Sequence, residues 1–207
     1  MDYTVTGLIK SKKIKDRFYA EFDSGEKLTI TINHIADFGI YTGKSFSEEE
    51  FESLRESAGD TQLKSRALRI LGSRNMSRGE LIARLTQKGE DPVKAEETAD
   101  WLEKIGALDD REYAGLIVRH YAAKGYGLAK IKEELYRRKI PEELRSEALQ
   151  EAPESGERPY ELLQNRLRGR EMSREEIGKA ANYLYRRGFS WDEIKSAVNR
   201  LESETED

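Results

Sequence analysis

One way of starting a helix recurs along this chain. Ser47-x-x-Glu50, Ser77-x-x-Glu80, Asp109-x-x-Glu112, Ser173-x-x-Glu176 and Ser190-x-x-Glu193 each place a capping oxygen three residues before a Glu. At that spacing the two side chains satisfy backbone donors that the first helical turn leaves without partners. Asp91-Pro92 supplies another common start, a cap followed by proline at the first helical position. Gly72, Gly89, Gly106, Gly125 and Gly188 stand where helices should stop. From Ser47 onward the chain reads as helix after helix.

The signals also repeat. Ser77-x-x-Glu80-Leu81-x-x-Arg84-Leu85-x-x-Lys88-Gly89 aligns with Gly127-x-x-Lys130-Ile131-x-x-Glu134-Leu135-x-x-Arg138-Lys139-Ile140. It aligns again with Ser173-x-x-Glu176-Ile177, followed by Leu184-x-x-Arg187-Gly188-Phe189, where the interval from cap to final Leu is one helical turn longer. The offsets are 50 residues (77 to 127) and 46 residues (127 to 173). Each of these middle helices follows an apolar-periodic one: Ala67/Leu68/Leu71, Tyr113/Leu116/Ile117/Tyr121, then Tyr160/Leu163/Leu167. Each precedes another, marked by Ala95/Thr98/Leu102, Leu144/Ala148 and Ile194/Val198/Leu201. Three-helix units at this period predict a tandem array, elongated and curved, in which each unit buries a thin apolar stripe.

Ahead of Ser47 the period changes to two. Tyr3-Thr4-Val5-Thr6-Gly7-Leu8-Ile9, Arg17-Phe18-Tyr19-Ala20-Glu21-Phe22 and Lys27-Leu28-Thr29-Ile30-Thr31-Ile32 predict three strands of an antiparallel meander. Its apolar face must be covered, either by Ile35, Phe38, Ile40 and Tyr41 or by the helix starting near Ser47. The expected fold is mainly α: a small β-rich N-terminal domain with one helix (1–60), then three-helix repeats at 61–108, 109–152 and 157–203. An acidic tail (204–207) closes the chain. Pro, Gly and Ser in 150–159 predict a hinge, and the segment after Asp60 and before Ala67 is a second expected joint. Residues 101–110 leave little slack between the first two repeats.

Composition limits the chemistry. Charged and hydrophobic residues each make up 37% of the chain, too lean a mixture for one deep core around a buried cofactor. There is no cysteine, which excludes disulfides, thiolate metal sites and cysteine nucleophiles. His34 and His120 are the two imidazoles, too few for most catalytic zinc sites. Neither a Gly-x-Ser-x-Gly elbow nor a phosphate loop is present. Asp109, Asp110 and Glu112 are better explained as a helix cap than as a cation site. His120 reads as a helix C-terminal cation or packing residue. Trp101 and Trp191 fall at helical spacing and are expected in the core. No apolar run approaches twenty residues, and residues 1–10 hold no apolar leader, so a cytoplasmic protein without membrane contact is expected.

Net charge is −4, from 36 basic and 40 acidic residues, but the balance is uneven. Residues 111–150 carry a net +3 and residues 158–200 a net +4, while the head to residue 60 carries −4. Arg137 and Arg138 close the middle helix of the second repeat, which also carries Lys130. Arg166, Arg168, Arg170 and Arg174 bracket the start of the matching helix in the third, and Arg186 and Arg187 end it. Arg74 and Arg78 stand at the equivalent start in the first. Cations at helix C-termini suit the helix dipole, but Arg168, Arg170 and Arg174 lie at an N-terminus, where a cation is unfavourable. These eleven residues are the candidate contacts to a partner or to DNA.

Four stretches together resemble the RecX family of bacterial recombination regulators. They are Glu80-Leu81-x-x-Arg84-Leu85-x-x-Lys88-Gly89, Gly106-Ala107-Leu108-Asp109-Asp110-x-x-Tyr113-Ala114, Gly127-x-x-Lys130-Ile131-x-x-Glu134-Leu135 and Tyr185-Arg186-Arg187-Gly188-Phe189-Ser190-Trp191-Asp192-x-Ile194. Ala107 departs from the family where an aromatic is usual, and Lys139 where a Gly is common. The resemblance implies three tandem three-helix repeats, no catalytic activity and no cofactor. It further implies binding to the RecA recombinase filament, inhibition of its recombinase, ATPase and coprotease activities, and single- and double-stranded DNA as a secondary contact. A monomer is expected. A different reading of the residues is a stand-alone DNA-binding helical-repeat module that acts without recombinase.

Overall fold

The computed structural model describes residues 2–170 and 173–206. Tyr3–Lys10 (β1), Arg17–Phe22 (β2) and Lys27–Thr31 (β3) form the antiparallel meander. A fourth strand, Ser45–Phe46 (β4), pairs with β1, giving the order β3-β2-β1-β4. Two residues are too short for any periodicity, so the sequence gives no sign of β4. Alternation along the strands puts Val5, Ala20, Phe22 and Ile30 on the buried face. Ile32, expected to end the third strand, instead opens a short helix, Ile32–Asp37 (α1). His34 caps it from within: the Thr31 N–H donates to His34 Nδ1 at 3.1 Å. The imidazole is buried, and its Nε2 lies 3.4 Å from the Thr61 hydroxyl.

The sheet is covered mainly by the first half of Glu48–Leu71 (α2). Ser47 and Glu50 cap this helix reciprocally, at 3.2 and 2.8 Å. Phe51 stacks on Tyr3 with centroids 3.9 Å apart and meets Phe22 edge-on, while Leu54 and Ala58 complete the cover. Ile40 joins this core, but Tyr41 is exposed and does not. The helix then runs unbroken through residues 60–67, where a joint was expected. No Gly or Pro interrupts that stretch, and Leu63 and Ala67 extend its buried stripe. The second half of α2 packs against Pro92–Lys104 (α4), whose cap Asp91 accepts from the Val93 N–H at 2.8 Å. Lys94 reaches Glu56 at 2.7 Å and Asp60 at 3.4 Å, and Lys64 sits 5.4 Å over the half-buried Trp101 ring.

The remaining helices are Arg78–Thr86 (α3), Asp110–Ala123 (α5), Leu128–Arg137 (α6), Glu142–Gln150 (α7), Arg158–Leu167 (α8), Arg174–Arg186 (α9) and Trp191–Glu206 (α10). The chain divides into two compact units, residues up to 74 with 85–107, and residues 75–84 with those from 108 onward. The boundary crosses α3. In the second unit, α5, α6 and α7 enclose Ala114, Ile117, Val118, Ile131, Leu135, Ile140 and Ala148. Helices α8, α9 and α10 enclose a core around Leu163, Leu184, Phe189 and Ile194. Helix α10 continues past residue 204, where an acidic tail was expected, and Glu204 accepts from Tyr160 and Arg200. Asp207 lies outside the described residues.

Candidate functional site

Within the second unit the middle helices of successive repeats meet end to end. The Gly127 and Ala129 N–H groups at the start of α6 donate to the Arg187 and Gly188 carbonyls at the end of α9, at 2.9 and 3.1 Å. At the equivalent place one repeat earlier, the Ser77 hydroxyl donates to the Arg138 carbonyl. A Cβ on Gly127 would lie 2.3 Å from Gly188 O, and one on Gly188 would lie 2.3 Å from Lys130 N. This approach of two backbones requires glycine on both sides. Gly188 has φ +87°, and Lys139, its counterpart and the departure from the family pattern, holds the same left-handed region at +54°. The helix ends carrying the candidate cations are therefore fixed in register by backbone contacts.

Some of those cations are occupied inside the protein. Arg187 donates to the Lys124 and Gly125 carbonyls at 2.9 Å each and lies over the Tyr126 and Tyr183 rings, so it closes the C-terminus of α5. Arg138 donates to Glu134 at 2.7 Å and to the Tyr113 hydroxyl at 2.9 Å. Arg137 makes three further bonds to Glu134, at 2.5, 2.8 and 2.9 Å, while its own side chain stays 65% exposed. Burial pushes the Glu134 carboxyl up, but the hydrogen bonds from Arg138 and Arg137 outweigh it and hold the group below the usual carboxylate value. The buried charge is thus paired and hydrogen-bonded.

The remaining candidates face outward to different degrees. Lys130 pairs with Glu133 at 2.7 Å, and Arg170 with Glu176 at 2.9 Å. That second pair accounts for one of the cations near the α9 N-terminus, because Glu176 is the residue the Ser173 cap serves. Arg166 lies over the Tyr183 ring, and Arg186 Nε reaches the Asn182 carbonyl at 3.4 Å. Arg168, expected at a helix N-terminus, instead stands at the C-cap of α8, where the helix dipole favours a cation, while Arg174 opens α9; both are exposed. Arg74 is exposed ahead of α3, and the Arg78 backbone N–H donates to Asp110 at 2.7 Å. Four cations, Arg166, Arg168, Arg174 and Arg186, thus lie on the exposed surface of the third repeat.

Sequence reasoning missed one feature. Trp191, expected in the core, is 59% exposed and stacks on Tyr185, itself 55% exposed, with centroids 5.4 Å apart and planes 23° from parallel. Trp191 is the first residue of α10, and its neighbour Ile194 takes the buried position in that turn. The carboxylates at 109–112 behave as caps: Asp109 accepts from the Glu112 N–H at 2.8 Å, and Asp110 is the buried acceptor at the start of α3. His120 is exposed in the last turn of α5, against the edge of Tyr121. Among the described residues no three His, Asp or Glu side chains gather to hold a metal, and no helix is long and apolar enough to cross a membrane.

Fold and surface define a class: a protein of tandem three-helix units with exposed cations and aromatics, preceded by a small antiparallel sheet. The pattern of the RecX second three-helix domain matches residues 109–149, and that of the RecX third three-helix domain matches residues 157–198. Regulatory protein RecX of Chromohalobacter salexigens is 32% identical over 133 residues, covering 64% of this chain and 88% of that protein. Regulatory protein RecX of Clostridium acetobutylicum is 26% identical over 209 residues, covering 97% of each. A crystal structure of regulatory protein RecX superimposes with a TM-score of 0.73 at 20% identity, covering 95% of this chain and 99% of that one, and supports the fold. This chain belongs to the RecX family of regulatory proteins.

Proposed function

We propose that this protein is a cytoplasmic, non-catalytic regulator that binds RecA recombinase filaments on DNA and lowers their recombinase, ATPase and coprotease activities. The observation that carries the reading is correspondence along nearly the whole chain to relatives named regulatory protein RecX, head included. The repeats at 109–152 and 157–203 are the proposed contact modules. Arg174 is the foremost candidate for phosphate contact, because it is exposed in the first turn of α9, an end that does not favour a cation, and Arg168 is an exposed second candidate at the C-terminus of α8. Arg166 on the last turn of α8 and Arg186 at the far end of α9 are further exposed candidates, while Arg138 and Arg187 bond within the fold. Inhibition of single-strand-dependent ATP hydrolysis by the cognate recombinase tests the proposal. Unchanged hydrolysis at stoichiometric or higher amounts of this protein would refute it, and salt-sensitive DNA binding in that case would favour the stand-alone module.

A further inference from the structure

The Tyr185–Trp191 stack has no structural task that explains its exposure. Side chains of this size normally bury most of their surface. Among the described residues of the third repeat, these two are the large hydrophobic side chains that stand exposed. Among the described residues of the third repeat no exposed aliphatic side chain accompanies them, and the exposed Leu128 at the start of α6 adds one such side chain from the second repeat, less than the apolar core of a protein-binding patch. Their exposed sequence neighbours are polar: Asn182 and Arg186 on the last turns of α9, Asp192 beside Trp191, and Lys195 one turn further along α10. The surrounding residues 158–200 carry an excess of four positive charges. Flat aromatic faces beside cations suit a strand whose bases are unpaired and whose backbone is anionic. The second repeat offers a related arrangement, because Tyr136, equivalent to Tyr185, is 71% exposed next to Arg137.

We infer that the Tyr185–Trp191 stack is a platform on which bases of single-stranded nucleic acid pile, with Arg186 and Lys195 near the strand's phosphates. The inference rests on the DNA contact in the proposed function and gives that contact a chemistry. Duplex DNA keeps its bases stacked internally, so the platform discriminates single strand from duplex.

The chain has two tryptophans, so Trp101→Phe leaves Trp191 as its sole indole reporter. Titration with an oligothymidylate of about 16 nucleotides should quench its fluorescence, whereas an abasic strand of equal charge should not. Trp191→Ala should weaken oligothymidylate binding about ten-fold, Trp191→Phe much less, and neither should alter duplex binding. Equal quenching by the two strands, or unchanged affinity in Trp191→Ala, overturns the inference. So does quenching by recombinase alone with none by the oligonucleotide, which would assign the stack to a protein contact. ATPase inhibition measured on the same variants keeps the two readings apart: a failed platform with intact inhibition leaves the proposed function standing.

Discussion

Replacing Gly127 with alanine adds one methyl group at the meeting of α6 and α9. The backbone there has φ −80° and ψ 170°, which alanine adopts freely, so none of the cost is backbone strain. The new Cβ would stand 2.3 Å from Gly188 O, 2.4 Å from its carbonyl carbon and 2.6 Å from Phe189 N. All three are backbone atoms and cannot rotate away, so the helix ends must separate by about 1 Å to restore ordinary contact. Overpacking of this kind costs about 1–3 kcal/mol. The two hydrogen bonds from Gly127 and Ala129 weaken with it, each worth about 1 kcal/mol. The sum is about 2–4 kcal/mol, or about 1–2 M in urea midpoint at a slope of about 2 kcal/mol per molar. Urea unfolding followed by circular dichroism measures it, and hydrogen exchange at amides 127 and 129 localises it. Gly178→Ala is the control, since nothing lies within 4 Å of its Cβ position on exposed α9. It should stabilise the protein by about 0.5–1 kcal/mol. A Gly127→Ala midpoint equal to that of the native chain, with unchanged slope, would refute the tight joint.

Further outcomes test the electrostatics. Glu134 and Glu193 are both held below the ordinary carboxylate value; in each, burial opposes and hydrogen bonds prevail, from Arg138 and Arg137 in one and from Ser155 and Ser190 in the other. Their contribution is therefore complete above the unfolded value of 4.5 and lost as pH falls through the lower folded values, so the urea midpoint should decline in acid. Glu134→Gln should flatten that decline while lowering neutral-pH stability by about 2 kcal/mol, and an unchanged acid profile would contradict the pairing. The double variant Arg168→Ala/Arg174→Ala should weaken single-strand binding and reduce the salt slope by about 1.4, with thermal stability unaltered. Arg187→Ala should do the reverse, lowering stability while leaving the slope as it was; the opposite pattern would exchange their roles.

What the sequence discloses is what local chemistry decides. Caps at Ser47, Asp91, Asp109 and Ser173 depend on atoms three residues apart, and each forms as the spacing predicts. Long-range choices were hidden. The course of α2 through residues 60–67 depends on α4 offering a second surface to the same helix, which no window of sequence contains. Arg187 and Arg186 are adjacent and chemically alike, yet one closes α5 across 62 residues of chain while the other points outward. Only the fold separates them. Trp191 shows the limit of periodicity: at the first position of a helix, the apolar stripe has too few turns behind it to fix which way a side chain faces.

Helix α2 has a consequence for how such a chain can change over time. Its first turns line the floor of the sheet and its last turns pack on α4, over a rod of about 36 Å. Recombination of genes or a protease therefore finds no clean seam at residue 60. A cut there would strip Leu63 and Ala67 from one core and fray Phe51, Leu54 and Ala58 in the other. Exchange of one head for another is tolerable only upstream of the Ser47 cap, and then only if the incoming piece fits the same apolar rod.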